Sequence, residues 1–227
     1  MERNKIEKII KSIQEAPLFQ QAFIHSSFAN ENKEKKISDY ETLEFLGDSI
    51  LNMHTCLYIY QNYPHYSEGE MSKLKQFMVQ QKTLAELSKK TKLFRFLKLG
   101  AGEEKNKGKQ KASTLADIFE SFVAALYLEK GAKTVEKFLD LSLFAWIKGK
   151  ETLIWDYKTQ LQELCQTQNN RLTYRVVKWS NQTKNKQFVI EVRDSLEKIR
   201  AQGQGKSKKE AEQAAARHAL EKIGNLK

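Results

Sequence analysis

The sequence predicts two domains of different fold class: an all-α domain at the N-terminal end and an α+β domain of order α-β-β-β-α at the C-terminal end. Apolar residues recur at helical spacing along the first two-thirds of the 227-residue chain, which contains only two prolines and ten glycines. Segments in which apolar and polar residues alternate occur only in the last third, between two helical segments. We therefore expect one domain at residues 1–148, a linker at 149–153 and a second domain at 154–227.

The first helices of the N-terminal domain follow from apolar spacing and from capping residues. Apolar residues in "NKIEKIIKSIQ" stand 3, 1 and 3 positions apart, which predicts an amphipathic helix. Ser38 or Asp39 can cap a helix that begins near Tyr40 and runs to about Gln61, because their side-chain oxygens accept its free N–H groups. Further helices are predicted in "MSKLKQFMVQQ" and "TLAELSKKT".

The rest of the N-terminal domain alternates one irregular segment with two helices. The segment "KLGAGEEKNKGKQK" is rich in glycine and lysine and has no periodicity, so we expect a mobile loop. A strongly apolar helix follows in "ASTLADIFESFVAALYLEKG", where Gly131 ends it. Another helix is predicted in "AKTVEKFLDLSLFAWI". Since no segment up to Lys150 predicts a strand, this domain is expected to be all-α.

The C-terminal domain begins and ends with a helix. The segment "DYKTQLQELCQTQ" has apolar residues on one helical face, and "SKKEAEQAAARHALEKIG" is an alanine-rich helix. Between them, "RLTYRVVKW" and "KQFVIEVRD" alternate as strands do, and "LEKIRAQGQG" predicts a third, weaker strand.

The charge of the chain indicates an anionic partner, most simply a nucleic acid. The net charge is +11 and the isoelectric point is near 9.4. Residues 1–153 contain 24 basic and 20 acidic residues, whereas residues 154–227 contain 15 basic and 8 acidic residues. A generally basic proteome could explain the total charge but less easily this gradient, which indicates two units with different tasks.

Several features favour a soluble, cytoplasmic protein. The N-terminal segment "MERNKIEKII" is charged and lacks the apolar core of a signal peptide. No segment approaches the roughly 20 apolar residues of a membrane helix. Cys56 and Cys165 form neither a CxxC pair nor a zinc-binding spacing.

Two apolar helices each contain acidic residues at positions that share one face. Glu41, Glu44 and Asp48 stand at i, i+3 and i+7 in "YETLEFLGDSIL", and Asp117 and Glu120 stand at i and i+3 in "LADIFESFVAAL". An acidic pair on a helix usually faces solvent, but the apolar neighbours of these acids leave little room for a solvated face. We therefore expect the two acidic faces to meet.

Four carboxylates that meet must either take up protons or bind a cation. Two like charges about 4 Å apart repel by roughly 4 kcal/mol at an effective dielectric constant of 20. A site of oxygen ligands without Cys or His favours Mg²⁺ or Mn²⁺ over zinc. Such ions activate water and stabilise the leaving oxygen of a phosphodiester. The pattern thus predicts metal-dependent phosphodiester hydrolysis.

Five sequence blocks resemble the ribonuclease III family, whose members cleave double-stranded RNA. They are, in chain order, "AFIHSSFANE", "YETLEFLGDSIL", "EGEMSKLK", "LGAGEE" and "TLADIFESFVAALYLEKG". The segment from Ile154 onward resembles the double-stranded-RNA-binding domain of the same family. The common signature has Asn-Glu-Arg where this chain has Tyr40-Glu41-Thr42, so Tyr40 and Thr42 depart from it, but every acid is kept.

The resemblance implies roles for individual residues of the N-terminal domain. Glu120 would be the most critical ligand of a catalytic Mg²⁺, for which Mn²⁺ is a possible substitute. Glu41 and Glu68 would support metal or substrate contacts as catalytic residues, and Phe45 would insert into the partner subunit of a homodimer. The full set of implied metal ligands is Glu44, Asp48, Asp117 and Glu120, of which Asp48 and Glu120 are also implied as catalytic.

The resemblance also implies how the C-terminal domain contacts RNA. Proteins read duplex RNA mainly by shape, through 2′-hydroxyls and phosphates. The family often has a Gly-Pro-x-His loop, where this chain has residues 181–184 and no histidine, so Asn181 and Lys184 would contact the RNA backbone there. A cluster such as "KSKKE" is by itself more often a solvated lysine surface, but its position after "GQG" at the start of the last helix favours phosphate binding. The other implied RNA contacts are Thr159, Gln162, Glu163, Lys206, Ser207, Lys208 and Lys209.

The family resemblance implies an enzyme that leaves 5′-phosphates and short 3′ overhangs, with duties in ribosomal RNA maturation and messenger RNA processing or decay. Two other interpretations are a non-catalytic binder of duplex RNA that keeps the fold, and a scaffold for RNA-processing partners. A binder has no need for a repulsive acidic cluster. His25 in "HSS" could be catalytic, although a structural histidine bonded within the helices is the better interpretation. Ser26 and Ser27 do not complete a triad with it, since no acid is placed to orient the base.

Overall fold

A computed structural model of the chain describes residues 2–150, 157–166, 170–182, 185–196, 198–205 and 207–224. The chain divides into two compact units. Unit 1 comprises Met1–Pro64 and Glu68–Lys148, and unit 2 comprises His65–Ser67 and Gly149–Lys227. None of the helices within the described ranges is long and apolar enough to cross a membrane.

The regular structure of unit 1 is helical within the described residues, apart from one isolated parallel bridge between Ile24 and Lys98. Short 3-10 and π-helical turns join several of its helices. The α-helices are α1 (Glu2–Lys11), α2 (Pro17–Gln21), α3 (Ser26–Glu31), α4 (Glu41–Asn62), α5 (Glu68–Val79), α6 (Gln81–Thr91), α7 (Ala101–Lys105), α8 (Ala112–Lys130), α9 (Ala132–Leu139) and α10 (Ala145–Ile147).

Helix α8 forms the centre of unit 1, with α4 and α6 packed against it. Eleven of its residues are buried, and they occur on every side of the helix between Thr114 and Leu126. A helix that is apolar all round requires neighbours on all sides. This arrangement explains why Asp117 and Glu120, which lie within the buried part of α8, are half-buried rather than fully exposed.

Two helix ends lie where the capping residues predict them, whereas one segment expected to be a loop contains helices. Asp39 Oδ1 accepts the N–H of Glu41 at 3.1 Å, where α4 begins, and Gly131 ends α8. The segment expected to be a mobile loop instead contains α7 and the 3-10 helix Gly108–Gln110. Lys111 Nζ lies 2.6 Å from Glu103 Oε1, so contacts between charged side chains hold a segment whose apolar residues show no period.

Unit 2 contains one three-stranded antiparallel sheet of order β1-β2-β3, as the sequence predicts. The strands are β1 (Leu172–Gln182), β2 (Asn185–Asp194) and β3 (Arg200–Gly205), and a register shift lies between Val176 and Lys178. Two helices, α11 (Tyr157–Gln166) and α12 (Lys208–Lys222), pack together. The observed order is therefore α-β-β-β-α.

Small residues allow α12 to lie very close to β3. A Cβ atom on Gly203 would stand 2.0 Å from the backbone nitrogen of Ala215, and one on Gly205 would stand 2.6 Å from that of Ala211. Such separations leave no room for a side chain. The "GQG" of the strand and the alanines of the helix are thus complementary halves of one contact.

Glu191 in β2 is the centre of a polar network within the sheet. Glu191 is only 4% exposed, and its carboxylate accepts hydrogen bonds from the side chains of Arg193, Arg200 and Gln202. The Arg200 Nε–Oε2 distance is 2.9 Å. These bonds, from Arg200 first and then Arg193 and Gln202, lower the pKa of Glu191 to about 2.

Candidate metal centre and RNA-binding surface

A glycine brings the two acid-bearing helices into close contact. A Cβ atom on Gly47 of α4 would lie 1.9 Å from the backbone oxygen of Glu120 in α8. Only hydrogen can occupy that space, so any other residue would force the helices apart. The contact lies between Glu44 and Asp48 on one helix and beside Glu120 on the other.

Three carboxylates converge at this contact. Glu44, Asp117 and Glu120 each offer a carboxylate oxygen within 4.8 Å of the others, and we refer to these three residues as the carboxylate cluster. All three side chains are half-buried. They lie in an open cavity of about 810 Å³, which we term the carboxylate cavity. Its lining residues are His25, Ser26, Tyr40, Glu41, Glu44, Phe45, Asp48, Ser49, Asp117 and Glu120.

Burial and mutual repulsion make the carboxylate cluster reluctant to carry its full negative charge. Burial raises the pKa of Glu120 to about 8, and the charges of Asp48, Glu44 and Asp117 add to the increase. Burial likewise raises the pKa of Glu44. The pKa of Asp117 is raised by burial as well, although a hydrogen bond from Tyr40 opposes the rise. Without a cation, all three carboxyl groups therefore keep their protons to a higher pH than isolated carboxyl groups do.

The donor set of the cluster fits a hard divalent cation. Among the described residues, this is the group in which three His, Cys, Asp or Glu side chains come close enough to share a metal, and all of its ligand atoms are carboxylate oxygens. Oxygen-only sites suit Mg²⁺, Mn²⁺ or Ca²⁺ rather than zinc. A bound cation would compete with protons for these oxygens and remove the repulsion that adds to the raised pKa values of Glu44 and Glu120.

Two other predicted acids of α4 lie at the border of the cavity. Asp48 and Glu41 are both exposed and line the cavity, but neither belongs to the three-residue cluster. Asp48 Oδ1 accepts a hydrogen bond from Asn52 at 2.7 Å. Asp48 still lies near enough to raise the pKa of Glu120. The metal-ligand role expected for Asp48 stays a prediction.

Glu68 and Phe45 lie in different surroundings. Glu68 is the exposed first residue of α5 and accepts a hydrogen bond from Ser72 at 2.8 Å, and it is not among the residues that line the carboxylate cavity. Phe45 lines that cavity while 80% of its surface remains exposed. Their catalytic and dimer roles stay predictions.

Tyr40 is a member of the site that sequence reasoning did not assign. Its hydroxyl donates a hydrogen bond of 3.1 Å to Asp117 Oδ2. Burial, with the nearby charge of Asp117, raises the pKa of this phenol far above its usual range, so it remains a donor. The available signal was its departure from the Asn of the common signature, next to the first acid of α4.

His25 has a structural contact that agrees with the structural interpretation of this histidine. Its Nδ1 accepts the backbone N–H of Ser27 at 3.0 Å, which caps α3. Its ring lies edge-on to that of Tyr40, with centroids 5.8 Å apart.

Four of the predicted RNA-binding residues of unit 2 lie on its first helix or cap its second. Thr159, Gln162 and Glu163 are exposed on α11. Ser207 caps α12, because its side chain accepts the N–H of Glu210 at 3.2 Å.

The remaining predicted RNA contacts are only partly described. Lys208 and Lys209 are exposed in the first turn of α12, where free N–H groups also favour an anion. Asn181 lies near the end of β1. Lys184 and Lys206 lie outside the described residues.

Two family models match the chain in the order of its two units. The ribonuclease-III-like model matches residues 15–147, and the double-stranded RNA binding motif matches residues 157–223. These ranges include every acid of the carboxylate cavity and both helices of unit 2, respectively.

Curated relatives match nearly the whole chain. Ribonuclease 3 of Oceanobacillus iheyensis is 40% identical over 216 residues, which cover 94% of both chains. Ribonuclease 3 of Streptococcus thermophilus is 42% identical over 210 residues, which cover 92% of this chain and 91% of the relative.

Solved structures resemble unit 1. Two structures of the nuclease domain of ribonuclease III from Campylobacter jejuni are 33% and 32% identical and have TM-scores of 0.53 and 0.52. They cover 60% of this chain and 94% and 91% of their own chains, respectively, and the first is described for flexibility in a region involved in dimer formation. The chain therefore belongs to the ribonuclease III family and combines its nuclease-type helical domain with a double-stranded RNA binding motif.

Proposed function

We propose that this protein is an endoribonuclease that hydrolyses phosphodiester bonds of double-stranded RNA with the help of Mg²⁺, for which Mn²⁺ can substitute. The observation that carries the proposal is the convergence of Glu44, Asp117 and Glu120 within 4.8 Å in an open cavity of a ribonuclease III family member. A non-catalytic binder of RNA would gain nothing from such a cluster, because the repulsion among its acids destabilises the fold.

The acids of the carboxylate cavity would have different roles according to their burial. The three half-buried acids of the carboxylate cluster would hold the cation, and a bound Mg²⁺ supplies a Lewis acid for phosphoryl oxygens and an activated water. Asp48 and Glu41 are exposed at the border, so they are available to hydrogen-bond water or sugar hydroxyls of a bound strand. Glu68 would contact substrate or metal-bound water from α5.

The apolar surface of α4 supports a homodimer. Phe45, Met53, Leu57 and Tyr60 are 80%, 46%, 50% and 72% exposed, and their spacing places them along one side of this helix. A row of exposed large apolar residues is typical of an interface. Phe45 also lines the carboxylate cavity, so a partner that covers it would lie beside the site. Two sites in one dimer would cut both strands of a duplex.

Unit 2 would hold the duplex. Exposed polar side chains of α11 would face a minor groove, and Lys208 and Lys209 at the start of α12 would contact phosphates. We also propose Asn181, Lys184 and Lys206 as backbone contacts, with Ser207 as the cap that orders the helix start. The functional division would follow residues 1–148, 149–153 and 154–227.

The expected products and duties follow from family membership. Cleavage would leave 5′-phosphates and short 3′ overhangs, and the substrates would include ribosomal RNA precursors and structured messenger RNAs. Such work takes place in the cytoplasm.

End mapping of products from a defined RNA hairpin tests this proposal. Cuts on both strands, offset to leave short 3′ overhangs and dependent on Mg²⁺ or Mn²⁺, are the expected result. Intact duplex in the presence of either metal would favour a non-catalytic binder. Normal function in cells after Glu120→Gln would instead favour a scaffold.

A further inference from the structure

We propose that Tyr40 is a positioning residue for the candidate metal centre: it links the Glu44 and Asp117 segments and fixes the carboxylate of Asp117 in the orientation that receives the cation. The inference rests on the proposed metal site and assigns a residue that the resemblance leaves without a role. Tyr40 stands where the common family signature has Asn, so the device belongs to this chain's own version of the site.

Tyr40 makes contacts to both acid-bearing helices. Its carbonyl oxygen accepts the backbone N–H of Glu44 at 2.8 Å, in the first turn of α4. Its hydroxyl donates to Asp117 Oδ2 in α8 at 3.1 Å. One residue therefore holds the backbone that carries one member of the carboxylate cluster and the side chain of another.

The surroundings of Tyr40 leave its ring little freedom. The residue is only 4% exposed. Its own N–H donates to the carbonyl of Ile24 at 2.9 Å, and the ring of His25 packs edge-on against the phenol at a centroid distance of 5.8 Å. The cap of α3 in turn holds His25 in place. The phenol is thus a fixed donor rather than a side chain that adapts to its acceptor.

A fixed donor matters because an aspartate side chain rotates about two bonds. Within a repulsive cluster, Asp117 would gain by turning away from Glu44 and Glu120, and the hydrogen bond at Oδ2 prevents this rotation. Groups that orient metal ligands in this way are worth about 10- to 100-fold in metal affinity. Tyr40 does not contact the reacting atoms, so we assign it to positioning and not to catalysis.

Direct binding of Mn²⁺ to the full chain tests the inference without relying on cleavage. The variant Tyr40→Phe keeps the ring and its packing and removes only the hydroxyl. The matched control is Tyr127→Phe, which removes a hydroxyl from an exposed tyrosine of α8, the helix that carries Asp117. The Kd for Mn²⁺ is measured by the paramagnetic resonance signal of free Mn²⁺, beside thermal unfolding of the metal-free proteins.

We expect Tyr40→Phe to raise the Kd for Mn²⁺ about 10-fold and saturating Mn²⁺ to restore most of its kcat, while Tyr127→Phe matches the wild type in both. A wild-type Kd in Tyr40→Phe, with or without a change in thermal stability, would overturn the inference and leave the proposed hydrolysis intact. Failure of the proposed function has a different signature, since the wild-type protein would then bind Mn²⁺ and leave duplex RNA uncut. A wild-type protein that binds no Mn²⁺ would overturn both.

Discussion

Glu44, Asp117 and Glu120 acquire their chemistry from their surroundings in the protein. An isolated glutamate on a helix surface is ionised and hydrated at neutral pH. Burial between α4 and α8 raises the pKa of Glu120 to about 8 and raises the pKa values of Glu44 and Asp117. A divalent cation would therefore stabilise the ionised cluster more than it stabilises isolated surface carboxylates. The residues therefore store an unfavourable interaction that cation binding relieves.

The sequence predicted which acids share a face but not which of them meet. The helical spacing places Glu41, Glu44 and Asp48 together, yet the structure half-buries Glu44 and leaves the other two exposed. The difference arises from the distance of each position to α8, which depends on tertiary packing and not on helical period. Tyr40 was unassigned for a related reason, because its acceptor Asp117 is distant in sequence.

Glu191 gives unit 2 a pH dependence of stability that can be measured. The folded-state pKa is lowered from 4.5 to about 2 by bonds from Arg200, Arg193 and Gln202. A lowered folded-state pKa contributes stability above the unfolded value, and that contribution is lost as the pH falls from about 4.5 towards 2. Glu191→Gln should therefore show a shallower loss of stability over this range.

Amide hydrogen exchange of β2 and β3 in the full chain, compared at each pH, measures this difference. The variant should be less protected than the wild type at pH 6, and the two should approach each other near pH 2. A difference that stays constant across this range would contradict the assigned ion pairs.

At the scale of elements, the close contact of α4 and α8 builds the site. The Cβ atom in Gly47→Ala would meet the carbonyl of Glu120, so the helices must move apart. We expect a loss of about 1–3 kcal/mol in the free energy of unfolding, together with weaker metal binding because the carboxylate cluster widens.

Gly102→Ala is the matched control for this prediction, since a Cβ atom there has no neighbour within 4 Å. Urea unfolding and Mn²⁺ titration of both variants make the comparison. Equal stability and equal metal affinity for Gly47→Ala and the wild type would show that the close contact does not shape the site.

The start of α12 is the element expected to hold phosphate. Lys208→Ala with Lys209→Ala should weaken binding to duplex RNA and reduce the slope of log K against log salt by about 1 for each lost phosphate contact. The control pair is Arg175→Ala with Lys178→Ala, two exposed cations of β1 that remove the same charge from unit 2. Binding titrations at several salt concentrations decide the matter, and equal slopes for the two pairs would mean that Lys208 and Lys209 act only through net charge.

The elements themselves were largely predictable, and the exceptions have physical causes. The apolar pattern predicted α4 and α8, and the alternation of apolar and polar residues predicted β1 and β2. Both patterns are visible in the sequence because the buried faces of an element determine the spacing of its apolar residues. The segment around α7 was expected to be a loop, since contacts such as Lys111 with Glu103 and not an apolar period hold it. Tertiary partners of this kind leave no periodic signal.

At the scale of the whole molecule, the charge division follows the two compact units. The carboxylate cluster lies in the helical unit, and most of the net positive charge lies at residues 154–227. This division suits an enzyme that holds a polyanion with one unit and hydrolyses it with the other. The composition indicates this division without any knowledge of packing, because net charge depends only on residue counts.

A dimer of the whole chain should depend on Phe45. Phe45→Asp places a charge on the most exposed large apolar residue of the α4 surface. If this residue is an interface anchor, the dimer should lose about 2 kcal/mol or more, which is about 30-fold in Kd.

Light scattering after size exclusion, over a dilution series, measures the effect on the dimer. Leu196→Asp is the control, as it adds the same charge at a residue of unit 2 that is 56% exposed. An unchanged dimer in Phe45→Asp would remove the α4 surface from the interface.

The most direct test of the central claim is the pair of cleavage and binding measurements on Glu120→Gln, with Glu129→Gln at the exposed end of α8 as control. We predict that Glu120→Gln loses cleavage of an RNA hairpin in Mg²⁺ by about 1,000-fold, equivalent to roughly 4 kcal/mol of transition-state stabilisation. Its affinity for the same hairpin in Ca²⁺ should stay near that of the wild type, and Glu129→Gln should match the wild type in both. Wild-type cleavage by Glu120→Gln, or loss of RNA binding in its place, would contradict the assignment of the carboxylate cluster as the metal centre that hydrolyses RNA.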